Sequence, residues 1–266
     1  MITEVLQLLH RNYRVERGRL VPVGDVRAQF NPLNVKRAEQ LATEFAKLHD
    51  GDVDGLRRFA RAWGLLGWAA IEVRDKADEG EPANWIWGHA KNARTVLEIQ
   101  DYLGRGDHSG LADFLTSLAT PLEPPGQPHS GIRAIVAYGT QPIPVNGGDT
   151  AEVGRTVIAG ILNPNLLYTR LGLRSYIDSK SLLIKQDCIY LLAAIYWQLA
   201  RIVAERQVAR CSMCEGIFVV TDQRQKYCPP ARGRSESICA ARARKRGQKE
   251  EPNSVSKVEE EEERDQ

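Results

Sequence analysis

Four of the five cysteines stand at Cys211, Cys214, Cys228 and Cys239, with two, thirteen and ten residues between successive members. Thiolates gathered at such short spacing are soft, strong ligands, and four of them complete the tetrahedral shell of a zinc ion. A closed shell leaves no position for water or substrate, so the chemistry this set implies is one structural Zn2+ ion rather than catalysis. Disulfides are the rival use of paired cysteines, but thiols stay reduced in a cytoplasm, where short pairs are more often ligands. No histidine competes for a place: His10, His49, His89, His108 and His129 all lie far upstream. Cys188 stands apart inside an apolar run and reads as a small core hydrophobe.

The ligands need a frame, and the residues between them suggest one. Glu215 and Gly216 follow the first pair, where a knuckle must turn tightly. GIFVV and QRQKYC are short β-prone stretches around Thr221 to Arg224, which predicts a hairpin returning the chain to Cys228. SESICAARARKRGQKE predicts a helix with Ser235 or Ser237 as its cap and Cys239 near its start. Knuckle, hairpin and then a helix carrying the last ligand is the order of a treble-clef zinc finger. Ile217, Phe218, Val219, Val220 and Tyr227 are nearly the whole apolar content of the segment, too little for it to fold alone. Zinc binding, with apparent values of roughly 10 to 16 kcal/mol in finger peptides, makes up that deficit.

The run from Arg210 to Arg246 resembles the CGNR-type zinc finger in its knuckle, in Phe218 after the second cysteine, in the basic run before Cys228, and in the closing Cys239, Ala240, Ala241, Arg242. Ala240 and Ala241 stand where that motif has Gly and Asn. The resemblance implies zinc ligation by the four cysteines and DNA binding. It also implies a C-terminal position behind a largely helical domain, as in bacterial proteins classed as transcriptional regulators.

Charge points the same way. The net charge of +2 hides a neutral stretch over residues 1–200, with 22 basic and 22 acidic side chains, and two opposed segments after it. Residues 201–249 carry 12 Lys and Arg against 4 acids, and residues 250–266 carry 8 acids against Lys257 and Arg264. A basic module attracts polyanions and releases their counterions on binding. In the predicted last helix Arg242, Lys245, Arg246 and Lys249 recur at helical spacing beside Arg244. A helix fits the major groove of duplex DNA, and Arg224 and Lys226 on the hairpin would add phosphate contacts. RNA or an acidic protein answers to the same charge. The tail EEPNSVSKVEEEEERDQ has almost nothing apolar to bury and is expected to be disordered.

The first two hundred residues read as mostly helical. NPLNVKRAEQLATEFAKLHDGD, VDGLRRFARAWGLLG and NWIWGHAKNARTVLEIQDYLG each carry apolar residues at helical spacing. Proline-rich stretches enclose the β-prone IRAIVAYG, and the apolar pattern resumes in TAEVGRTVIAGIL until Asn163 and Pro164 break it. Ser179 to Cys211 contains no Gly or Pro and reads as one long helix running into the cysteine module. Trp63, Trp68, Trp85 and Trp87 read as core rather than as a ligand pocket, and His89 as structural. GRGDHSG lacks the ending of a P-loop, and neither a G-x-S-x-G elbow nor an H-E-x-x-H pair occurs, so no enzyme is expected. MITEVLQLLHRNYR is interrupted by Glu4, Gln7 and His10, and no long apolar run follows, which argues for a cytoplasmic protein without a membrane partner.

The expectation is a mainly α protein. It has a helical N-terminal domain over 1–207 with a small β segment, a long connecting helix, a treble-clef-like zinc module over 208–249, and an acidic tail over 250–266. A zinc-containing, DNA-binding transcriptional regulator is the expected function. A zinc-stabilised adaptor and an RNA-binding protein are the alternatives, and a homodimer is compatible with the helical domain.

Overall fold

The chain starts in strands. In the computed structural model, the residues described are 2–4, 7–33, 40–68, 80–121, 133–145, 148–167, 169–175, 182–188, 190–205, 207–230 and 234–250. After the short β1 (Ile2–Glu4), β2 (Gln7–Glu16) and β3 (Arg19–Phe30) form an antiparallel hairpin with Glu16 opposite Arg19 and Tyr13 opposite Pro22. Its turn is Arg17 and Gly18, both at positive φ (47° and 72°), which is the two-residue turn whose twist matches that of the strands it joins. Leu9, Tyr13 and Leu20 are buried. The register slips twice between Leu9 and Asn12, and Gly24 to Gln29 are all exposed.

Helices then build the core. α1 (Leu41–Phe45) is short, and α2 (Val53–Trp63) packs on β2. Asp52 caps α2 by accepting from the Gly55 N–H at 2.7 Å, and Leu56, Phe59 and Trp63 turn inward as their spacing requires. β4 (Glu81–Pro82) adds to β3 and leads into α3 (Ala83–Arg105), which is closed by Gly106 in the left-handed region. α3 is buried on several sides because α1, α4 (His108–Leu118), α5 (Thr150–Leu166) and α6 (Leu191–Glu205) all pack against it. Between α4 and α5, β5 (Thr120–Pro121), β6 (Arg133–Ile135) and β7 (Ile143–Pro144) make a small antiparallel sheet. Between α5 and α6, β8 (Thr169–Ser175) pairs antiparallel with β9 (Leu182–Cys188), to which β1 adds in parallel. Finally β10 (Val208–Arg210) pairs with β11 (Ile217–Val219), and α7 (Ile238–Glu250) ends the described chain.

The protein is therefore mixed α and β, not mainly α. The largest correction falls on Ser179 to Cys211, expected as one long helix. Its first described part is β9, and only Leu191–Glu205 is helical. An apolar run without Gly or Pro permits either state, and here pairing with β8 and β1 satisfies the backbone as strand. Among the described residues, no single helix runs from 179 to 211. The second correction is the N-terminal hairpin, in a region read as mostly helical; Gly18, Pro22 and Gly24 all disfavour helix, and Val15, Val21 and Val23 favour strand. The helix expected over NPLNVKRAEQLATEFAKLHDGD is helical at Leu41–Phe45, with residues 34–39 outside the described ones. Pro164 does not end α5, which continues to Leu166. The proline removes one ladder bond near the helix end, and the Asn165 side-chain amide donates to the Ile161 carbonyl at 2.8 Å.

One buried carboxylate organises the loop after α2. Glu81, 2% exposed, accepts from the backbone N–H groups of Leu66 (2.8 Å), Gly67 and Trp68 (2.9 Å). Burial raises its pKa, and the three N–H donors work against that rise. Residues 1–208 and 209–266 form two separate compact units.

Candidate metal centre and nucleic-acid interface

The C-terminal unit is built around the four cysteines. Cys211 and Cys214 lie in the turn between β10 and β11, where the Cys211 N–H donates to the Gly216 carbonyl at 3.0 Å and the Glu215 N–H donates to the Cys211 carbonyl at 2.9 Å. The residue that takes the left-handed conformation in this knuckle is Glu215 (φ 58°), not the adjacent glycine. Ser212 donates from its backbone to the Lys226 carbonyl at 3.0 Å, which draws the segment before Cys228 against the knuckle. The hairpin expected between GIFVV and QRQKYC does not form. Ile217–Val219 instead pairs backwards, across the knuckle, with Val208–Arg210, and Asp222 to Cys228 is turn and coil. Asp222 fixes that turn by accepting from the Arg224 N–H at 2.8 Å.

Cys239 is the second residue of α7. Of the two serines expected as caps, Ser237 serves: its hydroxyl accepts from the N–H groups of Cys239 (3.2 Å) and Ala240 (3.4 Å). The last ligand thus sits on the first turn of the basic helix, where a metal fixes the helix to the knuckle. Phe218 (1% exposed), Cys211 (1%) and Cys239 (8%) form the unit's buried centre, flanked by Met213, Val220 and Tyr227.

One sulfur from each of the four cysteines lies within 4.8 Å of the others. A tetrahedral zinc ion with Zn–S bonds of about 2.3 Å needs sulfurs about 3.8 Å apart, so the four require little movement to close on one ion. Cys214 and Cys228 are already 3.5 Å apart, and the Cys228 N–H points at the Cys211 sulfur at 3.4 Å. Burial opposes ionisation of Cys211, yet N–H groups of Met213, Cys228 and Cys214 and the Cys214 thiol outweigh it and bring its pKa to about 6. Cys239 is pushed up to about 11, first by burial and then by the neighbouring sulfurs. Four sulfurs this close cannot all be thiolates without a cation among them, and one Zn2+ supplies that charge. Cys188 is buried at 3% exposure and lies outside the cluster, as a core hydrophobe.

The expected nucleic-acid residues fall on two segments. Arg242, Arg244, Lys245 and Arg246 are exposed on α7, with Lys249 on the same helix. Arg224 and Lys226 are exposed in the turn before Cys228. Arg244 is engaged in an ion pair with Glu236, a partner the helical spacing alone did not show. The acidic tail, from residue 251 on, lies outside the described residues.

Two of the four tryptophans expected in the core lie there, while Trp68 and Trp87 are only half-buried. Trp63 and Trp85 are buried, and the Trp63 indole donates to Glu44 at 2.7 Å. His89 makes edge contacts with the rings of Trp85, Tyr138 and Tyr196, and its Nδ1 lies 2.8 Å from the Tyr196 hydroxyl. Burial holds this imidazole at a pKa of about 4, so it stays neutral, and burial also raises the Tyr196 phenol. Asn92 closes the group by donating to the Tyr138 carbonyl at 2.8 Å and accepting from its N–H at 3.0 Å.

No protein-family model, curated protein or solved structure matches this chain. A four-cysteine metal module is what its own residues define. Among the described residues, no helix is long and apolar enough to cross a membrane.

Proposed function

We propose that the C-terminal unit is a zinc-stapled DNA-binding module of the CGNR type, in which α7 is the element that meets duplex DNA, and that the chain is a cytoplasmic, non-catalytic regulator of transcription. One observation carries the reading: Cys239, a ligand of the cluster, sits on the first turn of the helix that bears Arg242, Lys245 and Arg246. A ligand there lets the metal orient the basic helix before DNA arrives, which lowers the ordering cost of binding. Arg224 and Lys226 add cations on the turn that leads to another ligand. Arginine on a groove-sized helix pairs with guanine edges or phosphates, and lysine with phosphates.

The test is fluorescence-anisotropy titration of the zinc-loaded chain against duplex DNA at 50 and 200 mM salt, beside Cys239→Ser. With five phosphate contacts, affinity should fall by roughly 500-fold between the two salts, and the variant should lose it at both. No binding by the parent chain, or binding indifferent to Cys239→Ser, would overturn the reading.

A further inference from the structure

Residues 1–200 are neutral as a whole, but their basic residues are not evenly spread. β2, its turn, β3 and α2 together carry eight arginines (Arg11, Arg14, Arg17, Arg19, Arg27, Arg57, Arg58 and Arg61) against Glu16, Asp25 and Asp54. Two of the acids are held locally, Glu16 by Arg14 at 3.0 Å and Asp54 by Arg57 at 3.6 Å. Arg11, Arg17, Arg27 and Arg58 are exposed. The structure joins the arginines of the helix to those of the hairpin. The Arg61 guanidinium donates twice to the Asn12 side chain, at 2.7 and 3.1 Å, and so lies on β2 between Arg11 and Arg14 in the chain. Arg58 is one helical turn before Arg61 and shares its face. Across the hairpin, Arg11 falls at the register slip between His10 and Asn12, with its Cβ near Gly24, and Arg27 follows Val26, the register partner of His10.

We infer that this hairpin, with the Arg58 and Arg61 face of α2, is a second contact surface for duplex DNA, an inference that rests on the DNA-binding reading of the C-terminal unit. Shape and charge both favour that occupant. From Gly24 to Gln29 successive residues of β3 are exposed, so this strand is open to solvent, although Leu9 of β2, the partner of Ala28, is buried. A two-stranded ribbon is one of the two elements that fit the major groove, about 12 Å wide. The ten residues of β2 extend about 34 Å at 3.4 Å per residue, the length of one turn of duplex DNA. Over that length the duplex presents about twenty phosphate charges, and arginine is the side chain suited to pairing them bidentately. A second basic surface on the same chain raises the effective concentration of each for one polyanion.

The experiment compares the full zinc-loaded chain with Arg11→Ala/Arg27→Ala/Arg58→Ala and with the same three positions changed to Lys, over a salt series on one duplex. Among the described residues these three exposed side chains make no hydrogen bond or ion pair, and circular dichroism together with zinc content verifies that each variant is intact. Loss of three phosphate contacts lowers the salt slope by about 2.7, so the affinity lost between 50 and 200 mM salt becomes about forty-fold smaller. The lysine variant should restore most of the slope. A parent that binds and an alanine variant with the same affinity and slope would overturn this inference alone and leave the arginines as guards of an open strand edge. A parent that does not bind at all would overturn the function proposed for α7, and this inference with it.

Discussion

Phe218→Ala separates a unit folded by zinc from one that merely contains it. Phe218 is 1% exposed and, among the described residues, shares the unit's buried centre with Cys211 and Cys239, with Met213, Val220 and Tyr227 packed against it. Truncating a fully buried phenylalanine costs about 3 to 5 kcal/mol. In a large core that loss would appear as lower stability with the metal site intact. Phe218 is the largest buried side chain of a small unit whose other buried hydrophobics are chiefly Ile217 and Val219, so its folding and its metal binding are one equilibrium, and the loss must appear in zinc affinity. At 1.4 kcal/mol per tenfold, affinity should fall by about two to three and a half orders of magnitude. Since finger-type sites bind with roughly 10 to 16 kcal/mol, the variant should still load at high zinc. Competition against a chromophoric chelator of known affinity at pH 7 reads the change directly. A zinc affinity within threefold of the parent would refute the reasoning, because the unit would then fold without help from the metal.

Two further substitutions probe local features. Glu215 occupies the left-handed region that costs a non-glycine residue about 1 to 2 kcal/mol, so Glu215→Gly should leave zinc affinity unchanged or raise it up to about tenfold in the same chelator assay. A marked loss would mean that the carboxylate itself holds the knuckle. His89 has its pKa held at about 4 by burial, against an ordinary 6.5. Between those values the unfolded chain takes up a proton that the folded chain refuses, so the residue's contribution is full above pH 6.5 and is lost as pH falls toward 4, by about 3 kcal/mol in all. Denaturant midpoints of the N-terminal unit followed from pH 7 to pH 4 should show this slope, and His89→Gln should flatten it. An unchanged slope in the variant would contradict the assignment.

The metal centre was legible in the sequence because its information is local. Four thiols at short spacing have few uses, and the helix formers after Ser237 place Cys239 on a first turn. The path between ligands was not legible, since β10 comes from Val208–Arg210, outside the cysteine pattern, and two β-prone runs side by side do not say which neighbour each will pair with. Glu215 was hidden for a similar reason: Gly216 is the residue that tolerates positive φ most easily, yet the knuckle's bonds set that conformation one residue earlier. In the N-terminal unit α2 and α3 were readable because Asp52, Gly106 and a 3.6-residue apolar period act within one element. The mainly α expectation failed where pairing is remote. Leu182–Cys188 becomes a strand because β8 and β1 supply its partners, and β1 comes from the far end of the sequence. The arginines of the N-terminal hairpin went unnoticed because a regional charge of zero averages them away; only the pairing of β2 with β3 and the docking of α2 bring them together.

The most direct test is X-ray absorption at the zinc edge of the full chain purified with one equivalent of metal. Four sulfur neighbours at about 2.3 Å, with no light-atom shell, are expected of Cys211, Cys214, Cys228 and Cys239 closing on one ion. Three sulfurs and one nitrogen or oxygen at about 2.0 to 2.1 Å, or a chain that retains no zinc after dialysis, would contradict the four-cysteine centre on which the orientation of the basic helix depends.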